Sequence, residues 1–215
     1  MGSFHQGAFE QLVAEVAACR RCPAMVGRRR VLSAANGPLG ARVVFVAEAP
    51  GRLGAERTGI PLSGDATGSR FERLLAAAGL SRGEVFLTNA VLCNPCREGR
   101  NRPPAASELA HCRDFLRRTL ALVDPEVVVA LGRVALRALG AIAPHSASLE
   151  RVGEAVPWQG RLLVPLYHPG PRTERHRPFA AQLEDYRRLG VAIRRSSWDT
   201  PGQADDAACE RSGGT

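Results

Sequence analysis

Four short apolar runs divide the chain: Val43–Ala47, residues 85–91, Val127–Leu131 and residues 162–167. Each is nearly continuous in apolar residues rather than alternating, the pattern of strands covered on both faces in a parallel sheet. Between them, apolar positions recur at helical spacing. Phe9, Leu12, Val13 and Val16 mark residues 9–19, Phe71, Leu74, Leu75 and Ala78 mark residues 70–80, and similar stripes run through 107–123 and 133–141. A last amphipathic pattern passes through Phe179, Leu183, Tyr186 and Leu189. This alternation predicts an α/β fold, a three-layer αβα sandwich around a short, mainly parallel sheet. With 215 residues the chain suits one well-buried core, so residues 1–193 are expected to form a single domain. From about Arg194 apolar residues thin out among Ser, Asp, Gly and Pro, which predicts a disordered tail over 194–215.

Parallel strands joined by helices bring their carboxyl ends to one edge, where open α/β sheets bind ligands. Ala49-Pro50-Gly51 cannot continue a strand, so Glu48 is expected at that edge. A second turn, Ser63-Gly64-Asp65-Ala66-Thr67-Gly68, holds Asp65 just ahead of a helical stripe. On this window alone Asp65 reads first as a helix N-cap and second as a carboxylate facing a ligand. The fourth apolar run stops at His168-Pro169-Gly170-Pro171, which puts an imidazole at the same edge as the two carboxylates.

Cysteines add a second kind of chemistry. Cys19 and Cys22 form a CxxC at the end of a helical stripe, and Cys93, Cys96 and Cys112 follow. A thioredoxin-like redox motif would follow a strand and open a helix, so metal ligation is the better reading. Thiolate-only ligation suits structural zinc or a [4Fe–4S] cluster, and spacing alone does not separate them. Unpaired cysteines in such an arrangement point to a reducing cytoplasm, with Cys209 free in the tail.

Taken together, these segments resemble the uracil-DNA glycosylase superfamily, in particular its iron–sulfur families 4 and 5. Glu48-Ala49-Pro50-Gly51 resembles the family-4 GEAPG motif, whereas Arg57-Thr58-Gly59 followed by Gly64-Asp65 and Gly68 resembles the family-5 RTG…GDxxG stretch. Thr88-Asn89-Ala90-Val91 is similar to the TN-x-V strand end, and His168-Pro169-Gly170 to the closing HP motif. The resemblance implies a monofunctional hydrolase that flips uracil out of DNA and cleaves its N-glycosidic bond. It implies that Cys19, Cys22, Cys93 and Cys112 hold a [4Fe–4S] cluster, with Cys96 as the alternative to Cys93. It implies that Asn89 reads the uracil edge, with Ala49, Pro50, Gly51 and Leu62 lining the base pocket. His168 would hydrogen-bond O2 of the departing base, and Asp65 would orient the attacking water, while Glu48 would hold the pocket loop through backbone hydrogen bonds. Two positions depart from the family pattern. Leu62 stands where an aromatic stacks on uracil, so Phe71 is expected to substitute or the pocket to accept hypoxanthine or xanthine. The loop after His168 lacks an apolar wedge.

Charge fits a phosphate-rich partner: the formal net charge is +8. All 29 basic residues are Arg, however, which also reflects compositional bias. Of three arginine groups, Arg172 and Arg175 carry the DNA-contact expectation, because they follow the segment resembling the family's minor-groove loop. The absence of lysine removes the usual Schiff-base amine, so strand nicking is not expected. No apolar run is long and charge-free enough to span a bilayer, and no secretory signal pattern opens the sequence. A monomer acting on uracil-containing DNA is the leading expectation. A glycosylase-fold protein that binds DNA or damaged bases with little turnover is the second, and a phosphate-loop protein the third, weakened by the missing lysine.

Overall fold

The computed structural model describes residues 2–196. In chain order its elements are α1 (Gly2–Ala18), β1 (Val43–Ala47), α2 (Ala55–Thr58), α3 (Ala66–Ala77), β2 (Val85–Asn89), β3 (Cys96–Arg97), β4 (Arg100–Asn101), α4 (Ala106–Val123), β5 (Val127–Leu131), α5 (Arg133–Gly140), β6 (Val156–Trp158), β7 (Arg161–Leu166) and α6 (Phe179–Ser196). The central sheet has the order β2-β1-β5-β7-β6, parallel except for β6, which runs antiparallel to β7. Helices cover both faces, which gives the three-layer α/β arrangement.

Alternation within each strand sorts the core into two. Val44, Val46, Phe86, Val128, Ala130 and Leu163 face one way, against Leu12 and Val16 of α1, Phe115 and Leu120 of α4, and Leu136 and Leu139 of α5. Phe45, Leu87, Val129, Leu131 and Leu166 face the other way, against Phe71, Leu74 and Leu75 of α3 and Tyr186 and Leu189 of α6. Every residue of β1, β2 and β5 is buried, as continuous apolar runs require. A fully buried side chain such as Phe45 contributes about 1.5–3 kcal/mol.

Several boundaries differ from the sequence expectation. α3 starts at Ala66, ahead of its apolar stripe, because the Asp65 side chain caps it by accepting from the Gly68 N–H at 2.9 Å. β6 was not expected: three residues containing a Pro make a weak strand signal, and this one survives as an edge strand. The turn into β7 places Gln159 and Gly160 both at positive φ, the geometry of a two-residue hairpin. α6 continues to Ser196, past the expected domain boundary at 193. The rest of the expected tail, with Cys209, lies outside the described residues. Among the described residues no helix is long and apolar enough to cross a membrane.

Candidate active site

From β1 the chain moves to β2 on one side and then crosses back to β5 on the other, and a cavity opens at the carboxyl edge beside this reversal. Its volume is about 360 Å³, and Glu48, Ala49, Pro50, Gly51, Leu62, Asp65, Asn89 and His168 all line it. Register explains the convergence. Ala47 pairs with Asn89 and Leu131 with Leu166, so Glu48, Asn89 and His168 lie within two residues of adjoining strand ends.

Asp65 caps α3 and also lines the cavity. Oδ1 accepts the Gly68 N–H, while Oδ2 faces the glycine loop, where a Cβ on Gly51 would lie 3.4 Å from it. The Glu48 backbone carbonyl accepts from the Val91 N–H at 3.1 Å, but among the described residues no backbone N–H bonds its carboxylate. Side chains add to this hold on the loop: Asn94 Nδ2 donates to the Pro50 carbonyl at 2.6 Å and to Asn101 Oδ1 at 2.9 Å, and the Arg52 N–H donates to Asn101 Oδ1. Asn94, Asn101 and Thr67 also line the cavity. Sequence reasoning missed all three. The asparagines sit beside the cysteine segment and on the β3–β4 hairpin, whose two-residue strands carry no periodic signal.

Burial shapes the electrostatics. His168 is pushed down to about 4, with nearby Asp65 opposing the shift, so its imidazole is neutral at pH 7. The Gly170 N–H donates to His168 Nδ1 at 3.0 Å. An Nδ1 that accepts leaves Nε2 to carry the ring proton, so His168 offers the cavity a neutral N–H donor. Asn89 is 2% exposed, and its Nδ2 has no hydrogen-bond partner among the described residues, a second donor awaiting an acceptor. Burial raises the Glu48 carboxyl, with Arg137 opposing.

Leu62 lines the cavity at a φ of 48°, its backbone carbonyl fixed by Arg82 Nη2 at 2.8 Å. Phe71 does not replace the missing aromatic. It is fully buried in the core, edge-on to Phe45 with ring centroids 5.3 Å apart. Among the residues lining the cavity none is Phe, Tyr or Trp.

Below one wall, Cys19 follows α1, Cys22 precedes a short turn, Cys93 follows β2 and Cys112 lies in α4. Cys22, Cys93 and Cys112 pack in one small cluster with Met25 and Val91. Burial pushes the Cys93 thiol up to about 11 and the Cys112 thiol to about 12, and the nearby thiols add to the shift: Cys19 and Cys22 for the first, Cys93, Cys22 and Cys19 for the second. Cys19 packs against the adjoining core that α1 and α4 share. Cys96, at the start of β3, lies near Arg102. Among the described residues no three His, Cys, Asp or Glu side chains converge tightly enough to hold a single metal ion.

The arginine groups divide by partner. Arg30 donates to the carbonyls of Val26, Arg28 and Cys19, and Arg102 makes a bidentate pair with buried Glu108. Arg177 is paired with buried Asp185. Arg172 and Arg175 are exposed in the turn after His168, and Arg172 lines the cavity mouth.

Residues 34–188 match the family model described as the uracil DNA glycosylase superfamily. The chain is 35% identical to the type-4 uracil-DNA glycosylase of Thermotoga maritima over 162 residues, which cover 74% of this chain and 80% of that one. It is 31% identical to a type-5 uracil-DNA glycosylase of Pyrobaculum aerophilum, covering 77% and 84% of the two chains. A type-4 uracil-DNA glycosylase of Archaeoglobus fulgidus is 30% identical, with 84% and 91% covered.

Proposed function

This chain belongs to the uracil DNA glycosylase superfamily, and from that membership and the cavity described we propose that it is a monofunctional hydrolase excising uracil from DNA. The observation that carries the mechanism is the convergence on one cavity of a neutral imidazole N–H, an unpaired buried amide and a carboxylate with one oxygen free of its cap.

A uracil in duplex DNA must leave the stack before its glycosidic bond is accessible, at a cost of a few kcal/mol. Arg172 lines the cavity and Arg175 ends the same exposed turn, and both would bind the phosphates of the flipped strand. Asn89 Nδ2 then donates to uracil O4 and its carbonyl accepts from N3–H, a pairing that cytosine mismatches. As the bond breaks, negative charge collects on the base, and the neutral Nε2–H of His168 stabilises it at O2. A neutral donor suits this task, because an imidazolium would be costly to maintain in a site that holds His168 near pKa 4. Asp65 Oδ2 orients water toward C1′ and stabilises the oxocarbenium-like sugar. Glu48, whose carboxyl is raised by burial, is the less suitable anion for that role.

Kinship with type-4 and type-5 uracil-DNA glycosylases, and the packing of Cys22, Cys93 and Cys112 in one small cluster, support a [4Fe–4S] cluster held by Cys19, Cys22, Cys93 and Cys112. Such a cluster would supply a structural cross-link between α1, the segment after β2 and α4. Free cysteines fit a reducing, cytoplasmic setting. Leu62 in place of a bulkier aromatic, in a cavity lined by no Phe, Tyr or Trp, favours a wider base pocket with a secondary capacity for hypoxanthine or xanthine.

The test is to incubate the protein with a uracil-containing oligonucleotide and then add hot alkali. Strand breaks only after alkali, with no borohydride-trapped adduct, are expected. An alkali-resistant product at saturating enzyme would leave only a binding role.

A further inference from the structure

Arg70 lies in α3, five residues beyond the Asp65 cap, and takes part in none of the chemistry described above. Its Nε donates to the Pro169 carbonyl at 2.8 Å, its Nη1 pairs with Glu174 at 2.6 Å, and its guanidinium stacks over the Phe179 ring at 4.3 Å. The side chain is only 16% exposed. The Pro169 carbonyl and the Gly170 N–H belong to one peptide group, and in a trans peptide they point in opposite directions. Arg70 therefore holds one side of this amide while its other side donates to His168 Nδ1 at 3.0 Å.

We propose that Arg70 is a positioning residue that acts through the Pro169–Gly170 peptide to lock His168 in the Nε2–H tautomer and aim it at the departing base.

Two physical effects combine. A charge-assisted bond to a carbonyl polarises the amide and makes its N–H a stronger donor, so Nδ1 is held more firmly as an acceptor. The bond also fixes the plane of the peptide, and with it the direction from which His168 is held. The three contacts to Arg70 restrain the same loop from different elements: the His168 turn, the Pro171–Arg175 turn and the start of α6. Because Asp65 caps α3, the water-orienting carboxylate and the base-stabilising imidazole are referred to one helix. An error in either position is thereby limited, which matters where about 1 Å of misplacement costs roughly 10²-fold in rate. Lysine cannot fully substitute, because its single ammonium lacks the planar fork that reaches Pro169 and Glu174 together.

This inference rests on the assignment of His168 given above, and its main readout needs no substrate. Long-range ¹H–¹⁵N correlation of the imidazole nitrogens, with the His168 signals identified by their loss in His168→Gln, reports the tautomer directly. Wild-type protein should show a pyridine-like Nδ1 and a pyrrole-like Nε2. Arg70→Leu, which retains apolar contact with Phe179, should show averaged or exchanged ring shifts. It should also release uracil roughly 10- to 100-fold more slowly in single turnover, with its affinity for uracil-containing DNA kept. Arg70→Lys should fall between. Glu174→Gln removes the ion pair but leaves the Nε bond, and its ring signature should stay wild-type. A folded Arg70→Leu protein with wild-type ring shifts would overturn the proposal, as would a Glu174→Gln protein whose ring moves as far as that of Arg70→Leu. If Arg70→Leu fails to fold, the comparison of Arg70→Lys with Glu174→Gln carries the same test. A wild-type ring as expected, without uracil release, would instead sink the glycosylase reading and leave this one standing.

Discussion

A Cβ placed on Gly54 would lie 2.6 Å from Oδ2 of Asp65, so the glycine loop after β1 and the cap of α3 meet with no room for a methyl group. The same methyl would stand 2.8 Å from the Ser63 carbonyl, and a backbone atom has little freedom to withdraw. The oxygen of Asp65 assigned to the water is thus defined by a contact that only glycine permits.

Gly54→Ala should therefore displace Asp65 and slow single-turnover uracil release by roughly 10²-fold, with a stability loss of about 1–3 kcal/mol from overpacking. Gly40→Ala, where nothing lies within 4 Å of the added methyl, is the control and should match wild type in rate and thermal midpoint. Equal rates for Gly54→Ala and the control would show that Asp65 Oδ2 is not held where the mechanism needs it.

His168 makes the protein acid-sensitive in a defined window. Its value falls from an ordinary 6.5 to about 4 in the fold, because burial disfavours the charged ring more than Asp65 favours it. Between those two pH values the unfolded chain binds a proton that the folded protein does not, so stability falls as pH drops from 6.5 and the loss ends below 4. The ring faces a cavity open to solvent, so about 3 kcal/mol, at 1.36 kcal/mol per pH unit, is an upper bound. Urea melts of wild type and His168→Gln at pH 7, 5.5 and 4.5 should diverge by less than this, the variant losing less stability on acidification. Parallel curves would mean that the His168 ring takes up its proton equally in the folded and unfolded protein, so that burial does not hold it neutral.

How much of this was legible beforehand follows from what each signal depends on. β1 and β5 were readable to the residue, because strands buried on both faces write continuous apolar runs. Glu48 and His168 could be placed on one edge because parallel topology dictates it, whereas Asn89 entered only through the resemblance of its segment to a family strand end. The double role of Asp65 could not be resolved, since a cap and a cavity carboxylate occupy the same place in a sequence and differ only in where the second oxygen points. Phe71 was misplaced for a related reason: its spacing marks a helical face but does not distinguish the core from a pocket wall. Asn94, Asn101 and Arg70 act through contacts 44, 49 and 99 residues away along the chain, and no local pattern encodes such partners.

The cysteine assignment predicts a brown protein whose colour depends on four particular thiols. Ala at Cys19, Cys22, Cys93 or Cys112 should bleach it and lower its thermal midpoint, because each removes one ligand of a cross-link joining separate elements. Ala at Cys96 should leave the visible spectrum unchanged. A colourless protein with stoichiometric zinc would replace the cluster with a single ion, and a brown Cys93→Ala protein beside a bleached Cys96→Ala protein would transfer the third ligand to β3.

The two carboxylates give the sharpest test of the mechanism. Asp65 keeps one oxygen on its cap and turns the other toward the loop, whereas burial works against an ionised Glu48. Only an ionised, positioned carboxylate can both orient water and stabilise the sugar cation. Asp65→Asn retains the cap, since its amide oxygen can still accept the Gly68 N–H, so any loss reflects chemistry rather than unfolding of α3. Its single-turnover rate should fall by roughly 10² to 10⁴ with DNA affinity kept, and Glu48→Gln should lose less. The double variant should be little slower than Asp65→Asn if Glu48 acts only through the shape of the pocket. Single-turnover release with enzyme in excess, measured on all three, decides the matter. A Glu48→Gln protein slower than Asp65→Asn, with Asp65→Asn within a few-fold of wild type, would make Glu48 the water-orienting group and return Asp65 to the single role of capping α3.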